Sequence, residues 1–586
     1  MENIEIAKVL SQMADLLEIQ DANPFRVRAY RNAARFVDGF STPLRRMVAE
    51  EADLTQLPSI GKDMASHIDE LVTTGELAAL AELTAKIPGT LIDVMELPGV
   101  GPKKAKKLWQ ELGAETVDEL EQLAKQGKVA GLSGFGEKSQ QKILSGIEQF
   151  RLHRSRFKIS EADQLVEPLL EYLRACKEVE QLEVAGSYRR RRETVGDIDL
   201  LAIAKSPAPV MERFTSYPNL VRVEMSGDTR GRIALRSGLE VDLRILPRQS
   251  YGAALVYFTG SKEHNIRLRK RAIERDLRLS EYGVFRNPAS NGTETGGEQD
   301  PWAGEMVAGA TESEVYEAVE LPWIPSELRE DRGEIEAAVI DELPELVEST
   351  DIRGDLQMHS TWSDGKNSIE EMLEGCVAKG YEYFAMTDHS KALAMIGGLN
   401  AKRLREQWEE IEEIQARHPE IRILRSLEVD ILADGSLDLE DEMLEQLDLV
   451  VVSVHSRFDL PAAEQTRRIL RAIGHSQVDI LAHPTGRLIN KRPPFEFDLE
   501  EVLQGAKEHD VVVELNAHPE RLDLKDSHLM RARELGLRVA ISTDAHRVQH
   551  LDLMRYGVEQ ARRAWLGPAN ILNTIPLKEL LQALAK

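Results

Sequence analysis

Asp197 and Asp199 lie one residue apart in the stretch GSYRRRRETVGDIDLLAI, from Gly186 to Ile203, where DIDLLAIA reads as a strand. Side chains alternate along a strand, so both carboxylates point the same way. At that spacing they can share a pair of Mg²⁺ or Mn²⁺ ions, and Asp242, in LEVDLRIL, offers a third carboxylate. Gly186, Ser187 and the arginines that follow sit where the oxygens of a triphosphate would arrive. Phosphoryl transfer by two metals needs both parts: carboxylates to hold the ions, and donors to neutralise the leaving pyrophosphate. A DxD in a β-run is by itself usually surface charge. The GS ahead of it and the VDLR strand behind it turn the reading to nucleotidyl transfer.

A second chemistry is concentrated near the other end, where 11 of the 14 histidines lie beyond residue 350. There the metal-ligand types recur at the ends of expected strands: DLQMHSTWSDG (355–365), MTDHS (386–390), SLEVD (426–430), SVHS (453–456), AHPTG (482–486), ELNAH (514–518) and STDAH (542–546). In a (β/α) barrel the C-terminal strand ends meet at one mouth, so ligands distant in sequence converge. Imidazoles and carboxylates without thiolates suit Mn²⁺, Zn²⁺ or Fe²⁺, and a cluster of such ions activates water for phosphoester hydrolysis.

The third pattern is a repeat: LPSIG at 57–61, LPGVG at 97–101 and LSGFG at 132–136, each followed by a new helix. Such a turn exposes backbone N–H groups beside a helix N-terminus, and these can grip a phosphate without reading a base. It resembles the helix-hairpin-helix DNA-binding element. Gly61, Gly99, Gly101, Gly134 and Gly136, with Lys103 and Lys104 of GPKKAKK, are the expected DNA contacts, and Ser59 stands where the pattern prefers glycine.

The elements that must position these residues change along the chain. Residues 1–150 read as short amphipathic helices broken by Gly and Pro. From about 182 strands and helices mix, 287–300 reads as a loop, and beyond 351 β-runs alternate with helices as in a parallel α/β unit. The net charge of -26 would argue against nucleic acid, but it is uneven: 43 Lys and Arg against 50 Asp and Glu over 1–320, and 31 against 50 over 321–586. The first part can therefore carry basic surfaces. Two cysteines, Cys176 and Cys376, exclude a disulfide framework. With no signal peptide and no apolar run long enough to span a bilayer, a cytoplasmic location is expected.

Over about residues 1–325 the chain resembles DNA polymerase family X. The resemblance implies that Asp197, Asp199 and Asp242 form the catalytic metal triad, Asp242 also accepting the proton of the primer 3′-hydroxyl. Ser187, Arg190 and Gly196 would hold the β- and γ-phosphates. In YFTGSKEHNIRLR, Tyr257, Phe258 and Gly260 would flank the sugar, Asn265 would face the base and Arg269 the template side, while Arg244 would position Asp242. Two positions depart from the beta-type pattern. His67 and Asp63 replace the lysines of its lyase site, which implies weak or absent deoxyribose-phosphate lyase activity, since neutral imidazole forms no imine. Glu240 replaces an arginine, which touches the closing salt-bridge relay and not the chemistry.

Residues 351–586 resemble the PHP domain, a distorted barrel with up to three metals, Mn²⁺ or Zn²⁺ by its donors. The resemblance assigns His359, Glu428 and Asp544 to one metal, Glu428, His455 and His483 to a second, and Asp364, His389 and His546 to a third. The opening motif HxH reads Gln357-Met358-His359, so the first metal should bind more weakly. His418, His475, His509 and His528 are expected to be solvated; His518 and His550 stay open.

The expected fold is therefore multidomain, α+β and α/β: a helical helix-hairpin-helix N-terminal region, a nucleotidyltransferase palm and a C-terminal distorted (β/α)7 PHP barrel. The boundaries read as an 8-kDa-like DNA-binding domain (1–85), fingers (86–150), palm (151–250), thumb or nucleotide-selection subdomain (251–325), linker (326–350) and PHP metallo-phosphoesterase (351–586). The implied function is template-directed DNA polymerisation across short gaps in base-excision or break repair, on gapped or primed DNA with dNTPs, by a monomer that touches no membrane. The barrel would act as a 3′–5′ exonuclease, with cutting at abasic sites or 3′-end processing as further reactions. Two alternatives remain at this stage: a small-substrate nucleotidyltransferase fused to a histidinol-phosphatase-like phosphatase, and a DNA-binding scaffold with inactive sites.

Overall fold

The computed structural model describes all residues except 1–2, 40–43, 58, 96, 98–99, 154–155, 236, 287–301, 303, 491 and 585–586. The expected loop 287–300 and Gly99 thus lie outside the described residues. The chain divides into two compact units, Met1–Ser155 and Arg156–Lys586.

The first unit is helical. Ile6, Leu10, Met13 and Leu17 recur at helical spacing in the helix Asn3–Ile19, and all are buried in one core with Tyr30, Ile68, Leu91 and Leu108. Each repeat turn delivers a helix: Lys62–Thr74, Pro102–Leu112 and Glu137–His153. Ser59 takes a left-handed φ of 64° and Gly134 one of 85°. The first turn therefore adopts, at a serine, a conformation that glycine enters without strain.

In the second unit a five-stranded sheet runs Val179–Val184, Asp197–Ala204, Glu240–Ile245, Arg230–Leu235, Leu220–Ser226 in spatial order. Asp197–Ala204 and Glu240–Ile245 are parallel neighbours; the other pairs are antiparallel. Helices Ile159–Arg174 and Pro207–Thr215 contribute Val166, Leu169, Val210 and Phe214 to the core beneath this sheet. The helices Tyr251–Thr259 and Lys262–Ile273 follow, with a three-stranded antiparallel sheet, Leu277–Ser280, Gly283–Arg286 and Glu305–Ala308.

Seven parallel strands in sequence order then form a barrel: Gly354–Met358, Tyr383–Met386, Arg422–Asp430, Leu449–Ser453, Ile480–Leu481, Val512–Asn516 and Val539–Ser542. They are buried almost throughout, as strands covered on both faces are. The first and last strands meet where His359 N donates to the Ala545 carbonyl at 2.8 Å.

The stretch 326–350, expected as a linker, is packed: Arg329 and Glu334 are fully buried and Val347 lies in the barrel core. Arg329 is paired with Glu312, and Glu334 is hydrogen-bonded by the His264 ring and the backbone N–H groups of Asp331 and Arg332, so burial costs less than the composition suggests. Sheet and barrel also share one core, since Ile489, Leu522 and Tyr556 of the barrel region pack with Ile198, Leu200 and Val241.

Candidate active sites

Asp199 and Asp242 are register partners on the parallel strands, and Asp197 is the partner of Glu240. Matched register puts all four carboxylates on one face. Asp242 is buried, and its Oδ1 has no hydrogen-bond partner among the described residues. Burial, then the charges of Asp197 and Asp242, push the Asp199 carboxyl up to about 6. Crowded carboxylates with an unsatisfied oxygen are the condition that a divalent cation relieves, so these residues fit the ions their chemistry calls for.

The segment that precedes this strand pair begins where Gly186, at φ +67°, turns the chain into the short helix Gly186–Arg189. A Cβ there would lie 3.0 Å from Asp199 Oδ2, so glycine lets the loop close onto the carboxylates. Arg190 is buried: Nε donates to Glu330 Oε1 at 3.0 Å and Nη1 to the Thr259 carbonyl at 2.5 Å. A Cβ on Gly260 would lie 3.1 Å from that Nη1. Gly196 sits beside Arg156. Tyr257 and Phe258 contact each other edge to face, Asn265 Nδ2 donates to the Tyr257 carbonyl at 2.6 Å, and Arg269 lies over the Tyr257 ring.

Arg244 lies over the Phe258 ring, 4.3 Å from its centroid, and makes no hydrogen bond to Asp242. Arg232 does so instead: Nε is 2.9 Å and Nη2 2.7 Å from Asp242 Oδ2, with Nη1 3.8 Å from Glu240. The sequence reading did not single out Arg232.

At the barrel mouth the three assigned sets converge around Glu428. Its Oε1 lies 3.0 Å from His483 Nε2 and 3.3 Å from His455 Nε2; its Oε2 lies 3.5 Å from His359 Nε2 and 3.3 Å from His389 Nδ1. His359, Glu428 and Asp544 form one compact group. His389, Glu428 and His455 form another, with His483 beside it on Glu428. His359, Asp364, His389 and His546 form the third. His359 stacks on both His389 and His546, with ring centroids at 4.5 and 4.2 Å.

The electrostatics match a cation site. Despite burial, the surrounding imidazoles hold the Glu428 and Asp544 carboxyls well below their usual range. Burial pushes His389 down to about 3, whereas Asp364 and Asp544 draw His546 up to about 9 against its burial. His359 Nδ1, His389 Nδ1, His483 Nδ1 and Glu428 Oε2 are buried without hydrogen-bond partners. Imidazoles with open nitrogens around ionised carboxylates are what a first-row divalent ion takes up, with His546 giving up its proton to join them.

Gln357 is fully buried, and neither its Oε1 nor its Nε2 has a partner. Several supporting residues escaped the sequence reading. Asp430 lies 3.1 Å from His455 Nδ1, Asn516 Nδ2 is 3.1 Å from Asp544 Oδ2, and Arg521 Nε is 3.5 Å from the same oxygen. Asp430 was within reach, since it follows Glu428 by two on one strand face. His518 and His550 stand outside the three groups; their rings meet edge to face, and His550 Nδ1 accepts from His546 N at 3.3 Å. His528, expected to be solvated, is partly buried: its Nδ1 is enclosed without a partner, and burial holds its pKa well down.

In the helical unit, the helices Lys62–Thr74 and Pro102–Leu112 start at Gly61 and Gly101 with no side-chain cap, which leaves first-turn N–H groups free for an anion. A Cβ on Gly61, Gly101, Gly134 or Gly136 would meet nothing within 4 Å. Lys103 and Lys104 line a cleft of about 770 Å³ with Arg28, Arg31 and Arg35. His67 Nδ1 is 2.9 Å from the Tyr30 hydroxyl, and burial keeps the imidazole below its usual pKa. Among the described residues no helix is long and apolar enough to cross a membrane.

Family models match along the chain: a helix-hairpin-helix domain over 1–77, a SAM-like helix-hairpin-helix tandem over 91–149, a DNA polymerase beta thumb over 254–330 and a PHP domain over 355–518. The DNA polymerase/3′-5′ exonuclease PolX of Bacillus subtilis (strain 168) is 40% identical over 582 residues, 99% of each chain. DNA polymerase lambda of Arabidopsis thaliana is 26% identical over 320 residues, 50% of this chain and 56% of that one. With aspartates gathered on the sheet, groups at the barrel mouth that could hold metal ions and a relative matched end to end, this chain belongs to the PolX family of DNA polymerase/3′-5′ exonucleases.

Proposed function

We propose that this protein is a DNA-templated DNA polymerase that fills short gaps during base-excision or break repair, and that its barrel removes nucleotides from 3′ ends. The observation that carries the first half is the matched register of Asp199 and Asp242, with Asp197 on the same face. Asp197, Asp199 and Asp242 would hold divalent cations, Mg²⁺ or Mn²⁺ by the donor set, whose chemistry would be to neutralise the triphosphate and acidify the primer hydroxyl. Asp242 accepts the proton of the 3′-hydroxyl, and Arg232 keeps that carboxylate aimed. Ser187, Arg190 and the backbone at Gly196 receive the β- and γ-phosphates, while Tyr257, Phe258 and Gly260 wall the sugar, with Asn265 and Arg269 beyond them.

In the barrel, the donors centred on Glu428 fit up to three Mn²⁺ or Zn²⁺ ions, which supply an activated water for hydrolysis. The same centre is chemically suited to cleavage at abasic sites and to trimming blocked 3′ ends. The uncapped helix starts at Gly61 and Gly101 favour DNA over a small substrate for both sites. We place the protein in the cytoplasm as a monomer acting on gapped or primed DNA.

The test is a one-nucleotide-gap assay with wild type, Asp197→Ala and His455→Ala side by side. Asp197→Ala should lose synthesis and keep degradation, and His455→Ala the reverse. Loss of both activities in either variant, or of neither, overturns the assignment.

A further inference from the structure

One face of a barrel helix grips the loop that is proposed to receive the triphosphate. In the helix Met554–Arg563, Arg555, Glu559 and Arg563 recur every fourth residue and so share a face. Arg555 Nη2 lies 3.2 Å from Asp163 Oδ2, and Glu559 Oε2 lies 2.7 Å from Arg191 Nη2. Arg191 also clasps Asp163 with both Nη atoms, at 3.0 and 3.1 Å, and holds a left-handed φ of 52°. Arg563, almost fully enclosed, donates from Nη1 to the Arg190 carbonyl at 2.6 Å and to Glu330 Oε1 at 3.0 Å. That same Oε1 accepts from Arg190 Nε at 3.0 Å. Asp526 fixes the other end of Arg563, its Oδ2 lying 2.7 Å from Nη2. A second barrel arginine, Arg487, pairs with Glu193 at 2.7 Å, three residues ahead of Gly196.

We infer that Arg563 is a positioning residue for the polymerase site: a barrel side chain that sets both the place and the effective charge of Arg190. This rests on the reading of Arg190 as a triphosphate contact. A lone Glu330 would draw the Arg190 guanidinium onto itself and spend its charge there. Because Arg563 shares the same oxygen, Glu330 is already neutralised, and Arg190 keeps positive charge for an incoming anion. Arg190 Nη2 has no protein partner among the described residues, so it is the donor left for a phosphate. Arg563 also pins the Arg190 backbone, so the loop and its side chain are held by one group. The barrel is thus part of the nucleotide site and does more than carry a second activity.

The test uses the full chain on one-nucleotide-gapped DNA, reading KM for the dNTP and kcat, with degradation of a single-stranded oligonucleotide as a control. Arg190→Met should raise KM about tenfold or more, the loss of one charge-assisted contact. Arg563→Met should raise KM about fivefold or more while kcat stays within about threefold and degradation within about twofold, and Arg563→Lys should recover part of the loss. Asp526→Asn, which keeps shape and frees Arg563, should raise KM about threefold. An unchanged KM in Arg190→Met sinks the reading of Arg190 as a phosphate contact. An unchanged KM in Arg563→Met beside a raised one in Arg190→Met, or a joint fall of kcat and degradation with KM unchanged, overturns the inference. Should Arg563→Met fail to fold, Asp526→Asn decides alone, and an unchanged KM there is equally fatal.

Discussion

Arg232 holds one oxygen of Asp242, with Nη2 2.7 Å from Oδ2, and leaves Oδ1 of the same carboxylate without a hydrogen-bond partner among the described residues. One oxygen is thereby anchored, and the other, 3.9 Å from Arg230 Nη2, makes no hydrogen bond. Replacing Arg232 by Met should lower kcat about tenfold to a hundredfold, with a smaller change in KM, because the carboxylate's orientation is lost and substrate binding is not. Gap-filling kinetics with Arg232→Lys as a partial rescue would check it; an unaffected kcat refutes the role.

Arg232 was within reach of the sequence, and its omission is instructive. In RIALRSGLEVDLR the chain turns back between Leu235 and Leu239, whose backbones pair, and counting outward from that pair brings residue 232 opposite 242. The reading took Arg244 instead, which shares a strand face with Asp242 but lies over Phe258. The shared face of Asp197 and Asp199 was legible because strand alternation is local, as was the gathering of His359, His389, His455 and His483, since each follows a strand. The Arg563–Glu330–Arg190 group was not, because 373 residues separate Arg563 from Arg190 and no local pattern encodes the pairing. His528 looked like an ordinary helix histidine, and only packing by neighbours remote in sequence encloses it.

Gly101 begins its helix without a side-chain cap, and a Cβ there points into open space. Gly101→Ala should therefore change stability by no more than about 1 kcal/mol yet weaken binding to gapped DNA, since the methyl group occupies the approach of a phosphate. Thermal melting and a DNA titration at fixed salt give the two readouts. Equal affinity, or a stability loss that matches the affinity loss, contradicts the assignment.

Gln357 stands at the barrel mouth with both amide atoms unpaired. Gln357→His should tighten divalent-metal binding about tenfold, by adding a ligand nitrogen where a neutral amide now sits, and should lower the Mn²⁺ concentration needed for hydrolysis. Titration of metal-stripped protein measures the first effect. Weaker binding in the histidine variant would show that Gln357 already serves the site.

Neutral His67, against Tyr30, offers no amine for a Schiff base. Borohydride trapping on DNA with a 5′-deoxyribose phosphate should capture little wild-type chain, and His67→Lys should capture more. Strong capture of the wild type would overturn this account.

Glu330 gives a signature in acid. Burial would raise its carboxyl, but Arg563, Arg190 and Arg192 together hold it down at about 2, against an ordinary 4.5. A depressed carboxyl contributes stability that is complete above its unfolded pKa and disappears as pH falls toward the folded value. The contribution is roughly 3 kcal/mol, lost progressively between about pH 4.5 and 2. Urea midpoints of wild type and Glu330→Gln should therefore differ near neutrality and converge as pH drops through 4. A gap that stays constant with pH would contradict the pairing.

Tyr556, Ile489 and Leu522 reach from the barrel side into the apolar interior under the five-stranded sheet. Synthesis and degradation therefore cannot be inherited as interchangeable cassettes: scission at the boundary near residue 350 would strip the sheet of part of its own floor. A lineage that discards the nuclease must first rebuild the surface beneath its polymerase.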